Sequence, residues 1–433
     1  MRALPFLLAT GAFANGDETI TPADYVHADP AQARLGQLLF YDKMLSGNRN
    51  ISCATCHHHS LHGTDGLSLG IGEGGFGLGE NRRSGTVGAT QIHERIPRNA
   101  PALWNVGHKD RHTLFHDGRV QTDPSQPSGF RTPAKDQTPM GLSSIVAAQA
   151  LFPLTSAAEM AGQAEDNDIA AAFAQSFTAG WEVVAQRVRD KPAYVAAFSV
   201  AFDDVTQADD IEITHIANAI AAFETSEWQS FDSPFDAYLR DGTPLDPLAE
   251  RGRMLFFGDA GCAACHSGPL FTDQNFYAAG VPQFGPGRKF DGNDLPRDMG
   301  RMETTRDPLD AYKFRTPSLR NVALSGPWGH NGAYSNLRDM IRHMCDPVTM
   351  RANWTPGMAR LPDVPWLADH DFTIVAHYAE QERQATTLDI APVEMVEADI
   401  DALEAFLHAL TGETALQRPL GRPDRVPSGL PVD

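Results

Sequence analysis

Apolar residues recur at helical spacing in widely separated parts of the chain. Ala33, Leu35, Leu38 and Leu39 predict a helix from Pro30 to Phe40. Ile213, Ile216, Ile220 and Phe223 lie on one face of a second, strongly amphipathic helix. Ile400, Leu403, Phe406, Leu407 and Leu410 form a third stripe of the same kind. Further helices are expected over 143–150, 169–189 and 192–202, with a turn over 152–160. The stretch from Gly63 to Gly88 is dense in glycine, yet Leu67, Leu69, Ile71, Phe76 and Leu78 interleave with it. That mixture predicts an ordered loop whose backbone approaches a flat partner closely. A loop rich in proline and serine is expected over 122–139. Ser233-Pro234 and Gly242-Thr243-Pro244 punctuate 231–247, which reads as a domain boundary.

The pattern then repeats. Ala249 to Phe257 echoes Ala33 to Tyr41, Thr316 to Val322 echoes Ala100 to Val106, and His330-Asn331-Gly332 echoes His116-Asp117-Gly118. A chain that repeats its own order of elements is an internal duplication. The expected fold is therefore mainly α, with two related units at 15–240 and 241–433.

Each unit carries the same chemical signature. Cys53-Ala54-Thr55-Cys56-His57 and Cys262-Ala263-Ala264-Cys265-His266 have the spacing of c-type haem attachment. Two thiols add to the vinyl groups, and the next imidazole reaches the iron. A structural zinc site would place its CxxC pairs roughly 15–20 residues apart; these lie an order of magnitude further apart. A thioredoxin-like motif would need a βαβ setting, which is not readable here. Two covalently bound haem c groups are expected, making the units cytochrome c-like. The motifs consume four of five cysteines, so Cys345 is left over. His58, His59 and His62 crowd the first motif and read as loop residues near a haem edge, a second metal site being the alternative. His93 and His108 read as surface or structural.

The net charge of −20 argues against nucleic acid and anionic membranes as partners. It suits a basic redox protein or a small neutral substrate. Met1 to Ala9 places one positive charge before a short apolar run, and Ala12-Phe13-Ala14 resembles a cleavage site. Residues 1–14 thus read as a signal peptide, and covalent haem points the same way, to an exported, periplasmic protein. No stretch is suited to span a bilayer.

Two such units in this order resemble the bacterial di-haem cytochrome c peroxidases and their relative MauG. The resemblance rests on Leu39-Phe40-Tyr41-Asp42, Leu45-Ser46, both CxxCH motifs, Arg98-Asn99-Ala100-Pro101, Glu159-Met160 and Phe314 to Val322. It covers nearly all of the chain after residue 14. It implies hydrogen peroxide as substrate at the His57 haem, with Glu159 as the catalytic acid–base group, and electron transfer through the His266 haem. By the same resemblance Met344 is the second axial ligand at the His266 iron, with His343 and Cys345 as neighbouring alternatives. Ca2+ is implied at the Asn99 side chain and the Ser325 and Pro327 carbonyls.

Two departures from the family pattern stand out. Glu73 occupies the place of a detachable distal histidine, and His116 that of the tryptophan between the haems; Trp104 is a substitute candidate for the electron relay. The resemblance implies a peroxidase fed by a small donor such as a cytochrome c or cupredoxin. The alternatives are a MauG-like oxidation of side chains on a partner protein and a non-catalytic electron carrier.

Overall fold

The computed structural model describes residues 19–288, 295–417 and 421–433; the expected signal peptide lies outside them. The helix Pro30–Tyr41 starts where the Asp29 side chain accepts from the amides of Ala31 (2.7 Å) and Gln32 (3.0 Å), with Pro30 at its first position. The helix Pro247–Phe257 starts the same way, Asp246 accepting from Leu248 N–H at 2.9 Å and Pro247 leading. A carboxylate cap and a leading proline each suit the unsatisfied amides of a helix start.

The first of these helices packs across Ile213–Glu227 and the second across Glu397–His408. Both crossings are closed by glycine. A Cβ on Gly36 would lie 1.8 Å from the Ala219 carbonyl oxygen, and one on Gly252 would lie 1.8 Å from that of Ala402. Asn105 and Asn321 both take left-handed backbone, with φ of 56° and 58°. In each, the side-chain oxygen then collects a backbone amide from the chain beyond the partner helix: Ser230 N–H for Asn105 and Gly412 N–H for Asn321. The duplication read from the sequence is thus a duplication of packing.

Each unit has its own core. The first gathers Leu39, Phe40, Ile169, Trp181, Val184, Phe198, Ile220, Phe223 and Trp228. The second gathers Phe235, Phe256, Phe271, Ile341, Leu403, Phe406 and Leu410. Residues 421–433 return to the first core, where Val426 is buried and Leu430 and Val432 pack. There Ser428 N–H donates to Asp42 at 3.2 Å and Lys43 pairs with Asp433 at 2.5 Å.

The structure revises three local expectations. The helix expected over 169–189 is two, Asp168–Phe173 and Phe177–Arg189, because the Ser176 hydroxyl accepts from Ala179 N–H (3.0 Å) and restarts it. The 122–139 loop is interrupted by the strand Phe130–Arg131, which pairs antiparallel with Val120–Thr122, itself paired with Thr113–Leu114. The breakers of 231–247 bracket a helix, Pro234–Asp241: Ser233 caps it, Pro234 leads it and Gly242 closes it at φ 73°. Its Phe235 lies in the second core, so here proline and glycine mark a start and a stop. Among the described residues no helix is long and apolar enough to cross a membrane.

The crossing geometry gives a first prediction. Gly252→Val forces a branched side chain into the Ala402 backbone, and overpacking of this kind costs about 1–3 kcal/mol or more. Chemical denaturation should show a lower midpoint for Gly252→Val, while Gly421→Val, where nothing approaches within 4 Å, should lose only what its φ of 59° demands.

Candidate functional site

The two CxxCH motifs sit on short helical turns, Cys53–Cys56 and Cys262–Ala264. The ring Nδ1 of His57 lies 3.0 Å from the Gly63 carbonyl oxygen, and that of His266 lies 3.0 Å from the Phe271 carbonyl oxygen. A carbonyl only accepts, so Nδ1 carries the proton in both rings. Each Nε2 is then left with its lone pair, the tautomer a metal-bound histidine needs. Burial pushes the Cys53 and Cys262 thiols up to about 12. All five cysteines are unpaired. Two free thiols beside an imidazole oriented for ligation fit covalent haem at both places.

Behind His57 the backbone of Gly63 lies against an indole: a Cβ there would meet Trp228 at 3.1 Å. Trp228 packs edge-on against Trp104, ring centres 5.2 Å apart at 84°. Trp104, a relay candidate, therefore sits on the proximal side of the first motif, in the first core.

Glu159 lies on a π-helical turn, Ala157–Ala161, with its amide donating to Ser156 Oγ at 3.3 Å. Such turns widen a helix and re-aim its side chains. The carboxyl is half-buried and makes no hydrogen bond or ion pair among the described residues. Burial raises its pKa, while Arg119, Arg288 and Arg98 oppose that rise.

Glu73 packs directly on this turn. Its amide donates to the Ala158 carbonyl at 3.3 Å, and Gly72 is so close that a Cβ there would lie 2.1 Å from the same oxygen. Glu73 is buried, and its Oε1 accepts from Asn48 Nδ2 and Asn50 Nδ2, each at 2.7 Å. It does not face solvent; two amides fix it beside the Glu159 turn. His93 is exposed.

A buried ionic cluster joins the two units. Arg98 binds Asp298 through Nε (2.6 Å) and Nη2 (2.7 Å), Asp117 through Nη1 (2.6 Å) and Glu303 at 3.4 Å. Asp117 also pairs with Arg119 and Arg288, both at 3.2 Å. Against the cost of burial, those arginines hold the Asp117 carboxyl far below the usual range. Arg119 lies over the Phe115 ring, 3.6 Å from its centre. Beside the cluster, His116 Nε2 donates to the Asn99 carbonyl at 3.0 Å, and burial lowers its pKa to about 4. Asn99 donates through Nδ2 to the Leu67 carbonyl at 2.6 Å and through its amide to the His330 carbonyl at 2.8 Å. His330 in turn stacks on Phe314, ring centres 3.6 Å apart. The loop bearing Ser325 and Pro327 reaches Asn99 through His330 and Gly332. The Ser325 hydroxyl turns back to the Val322 carbonyl at 3.1 Å, leaving only its main chain for a cation.

Met344 lies near the end of the helix Leu337–Cys345. Both ring nitrogens of His343 are engaged, Nδ1 with Tyr334 Oη and Nε2 with the Ala279 carbonyl, each at 2.9 Å. Cys345 is buried in the second core. Met344 is half-buried and belongs to none of the hydrophobic clusters. Near the first motif, His59 meets the Tyr41 hydroxyl at 3.1 Å and stacks on His58, whose Nδ1 lies 2.6 Å from Ser60 Oγ. Among the described residues no three of His, Cys, Asp and Glu are grouped to hold a separate metal ion. His108 is buried edge-on against Tyr25.

The motifs stand out in the sequence and Glu159 by the family resemblance, whereas Arg119, Arg288, Asp298 and Glu303 do not stand out as a set. Their partners are far apart in the chain and follow no period. Only Arg119 stood in a segment singled out beforehand.

Residues 30–243 match the family described as di-haem cytochrome c peroxidase. The chain is 30% identical over 413 residues to the methylamine utilization protein MauG of Paracoccus denitrificans, covering 89% of each chain. It is 30% identical over 315 residues to the cytochrome c551 peroxidase of Pseudomonas aeruginosa, covering 72% of this chain and 71% of that one. Among solved structures it resembles a MauG-like protein associated with microbial copper homeostasis, at 25% identity and a TM-score of 0.61, covering 98% of this chain and 100% of the other.

The ionic cluster predicts a contrast. Arg98→Met leaves buried carboxylates without their cation, a loss that typically costs about 3–5 kcal/mol. Arg251→Ala removes an exposed partner of Asp399, worth about 0–1 kcal/mol. Urea unfolding of both variants should reproduce that order.

Proposed function

The chain belongs to the di-haem cytochrome c peroxidase family, and from that premise we propose that it is an exported peroxidase that reduces hydrogen peroxide with electrons from a small redox protein. In this reading Cys53, Cys56 and His57 hold one haem, and Cys262, Cys265, His266 and Met344 hold the other. When bound, the two haems supply an iron at which peroxide reacts and a second one-electron centre that relays charge. Their covalent attachment supports a periplasmic location.

The observation that carries the reading is the Glu159 carboxyl, half-buried, unpaired and facing the charge of three arginines. Breaking the peroxide O–O bond needs one group that takes a proton from the first oxygen and returns it to the second. Burial favours the protonated form of Glu159 and the arginines favour the ionised one, so neither state is locked. Asn48 and Asn50 fix the Glu73 carboxylate through Oε1 and would hold it beside the Glu159 turn rather than release it to an iron. In this reading the first iron would keep an open position without prior reduction. The Met344 thioether is a soft donor that raises the potential of the relay haem. The Asn99 side chain and the Ser325 and Pro327 carbonyls supply hard oxygens suited to Ca2+ at the seam. Trp104, packed edge-on against Trp228 behind His57, and His116, bonded to Asn99, are the relay candidates.

A second reading, oxidation of side chains on a partner protein, is favoured by one observation. The seam holds a neutral, hydrogen-bonded His116 where the peroxidase pattern has tryptophan, which alters the path between the two centres. An electron carrier without turnover leaves the unpaired Glu159 without a purpose.

Stopped-flow mixing of the oxidised protein with peroxide, followed by reduced cytochrome c, tests the proposal. Rapid spectral change and donor oxidation are expected; spectral change without donor oxidation would favour the second reading. Glu159→Gln should slow the peroxide step by about 10²–10⁴-fold with both haems retained. Because burial raises this carboxyl above the ordinary value of 4.5, its base form is lost at a higher pH than that of an exposed glutamate. The peroxide rate should therefore fall on acidification before pH 4.5 is reached, and this acid limb should vanish in Glu159→Gln.

A further inference from the structure

Arg111 is buried and Arg315 half-buried, and neither has an anion of its own among the described residues. Arg111 is 8% exposed and its Nε has no hydrogen-bond partner. Arg315 spends its Nε on the Phe115 carbonyl (3.1 Å) and Nη1 on the Thr316 carbonyl (3.2 Å), neither of which carries charge. Neither guanidinium has an ion-pair partner among the described residues. The acid that acts on Arg315, Asp117, is already shared by Arg98, Arg119 and Arg288. Burial, and then the charge of Arg315, push Arg111 down to about 9; burial pushes Arg315 down to about 10. Two neighbouring charges of one sign, one buried and the other half-buried, are unfavourable unless an anion completes them.

Their position names the anion. Asp110 and His112, on either side of Arg111, are both bonded to Gln274: its Nε2 donates to the Asp110 carbonyl at 2.8 Å and its Oε1 accepts from His112 N–H at 3.1 Å. Gln274 belongs to the loop in which the Phe271 carbonyl accepts from His266 Nδ1. Arg315 precedes Thr316, whose carbonyl accepts from Thr272 Oγ1 in that same loop at 2.6 Å. One arginine comes from each unit, and both border the second motif.

We propose that Arg111 and Arg315 clamp the propionate carboxylates of the haem held by Cys262 and Cys265. The proposal rests on the two-haem reading. A haem bears two carboxylate tails, and the planar guanidinium fork matches a carboxylate through two parallel N–H···O bonds. The tails supply the missing negative charge, and the arginines neutralise it near the iron. Removing a cation there stabilises ferric over ferrous iron, so the potential of this haem drops. Because Arg111 belongs to the first unit, the clamp also ties the second haem to the first.

The test uses the holoprotein with Arg111→Gln, Arg315→Gln, the double variant and Arg315→Lys. Intact mass gives the haem content, spectroelectrochemistry the potential of each haem, and resonance Raman the propionate bending bands. In the double variant, the ferrous-to-ferric ratio of the second haem at fixed potential should fall about tenfold, ~59 mV for one electron. Its propionate bands should move, and the first haem should change less. Arg315→Lys keeps the charge and the fold but not the fork, so it should move the bands with a smaller change in potential. Wild-type potentials and bands in the Gln variants, or unmoved bands in Arg315→Lys, would overturn the clamp. Fewer than two haems in the wild-type mass would instead overturn the two-haem reading, and the clamp with it.

Discussion

The seam between the two units depends on neutralising one buried guanidinium. Arg98 is enclosed, and a charge there is tolerated only because Asp298, Asp117 and Glu303 surround it. Despite burial, Asp298 is held well below its usual range by Arg98, whereas burial and the neighbouring Asp298 push Glu303 up. Two of the three acids come from the second unit, so the charge balance is met only when the units are docked. From this contact the site follows outward. Asn99, next in the chain, reaches the loops of both units. Asp117 gathers Arg119 and Arg288, and the two lend positive charge to the Glu159 turn. Electrostatics that hold the units together are thus the same electrostatics that set the proton affinity of the candidate acid–base group.

Duplication supplies the scaffold and divergence supplies the asymmetry. Both units close their helix crossing on a glycine and orient the motif histidine with a backbone carbonyl. These features concern packing and the proximal side, where the two halves have the same task. Elsewhere they part. The first unit presents a π-helical turn with an unpaired carboxyl, backed by the Glu73 loop. The second presents the helix Leu337–Cys345, whose His343 and Cys345 are engaged while Met344 is not. In the proposed reading, the first half would leave a coordination position free and the second would fill it.

What the sequence revealed was local or periodic. Apolar stripes marked the helices at each crossing, and the CxxCH spacing announced its own chemistry. Three pairs of echoing segments exposed the duplication. What it concealed depends on contacts between distant residues. Nothing in the stretch around Glu73 shows that Asn48 and Asn50 would fix its carboxylate; flanking glycines alone suggest freedom. Ser176 and Ser233 act as helix caps only because the following residues turn back toward their hydroxyls. The ionic cluster draws on residues up to about 200 positions apart, a distance at which no pattern survives.

In the proposed reading, one ferric haem is open and the other six-coordinate. Electron paramagnetic resonance of the oxidised, untreated protein addresses it directly. One high-spin signal beside one low-spin signal is the predicted result. Two low-spin signals, with no reaction toward peroxide until one electron is added, would contradict it.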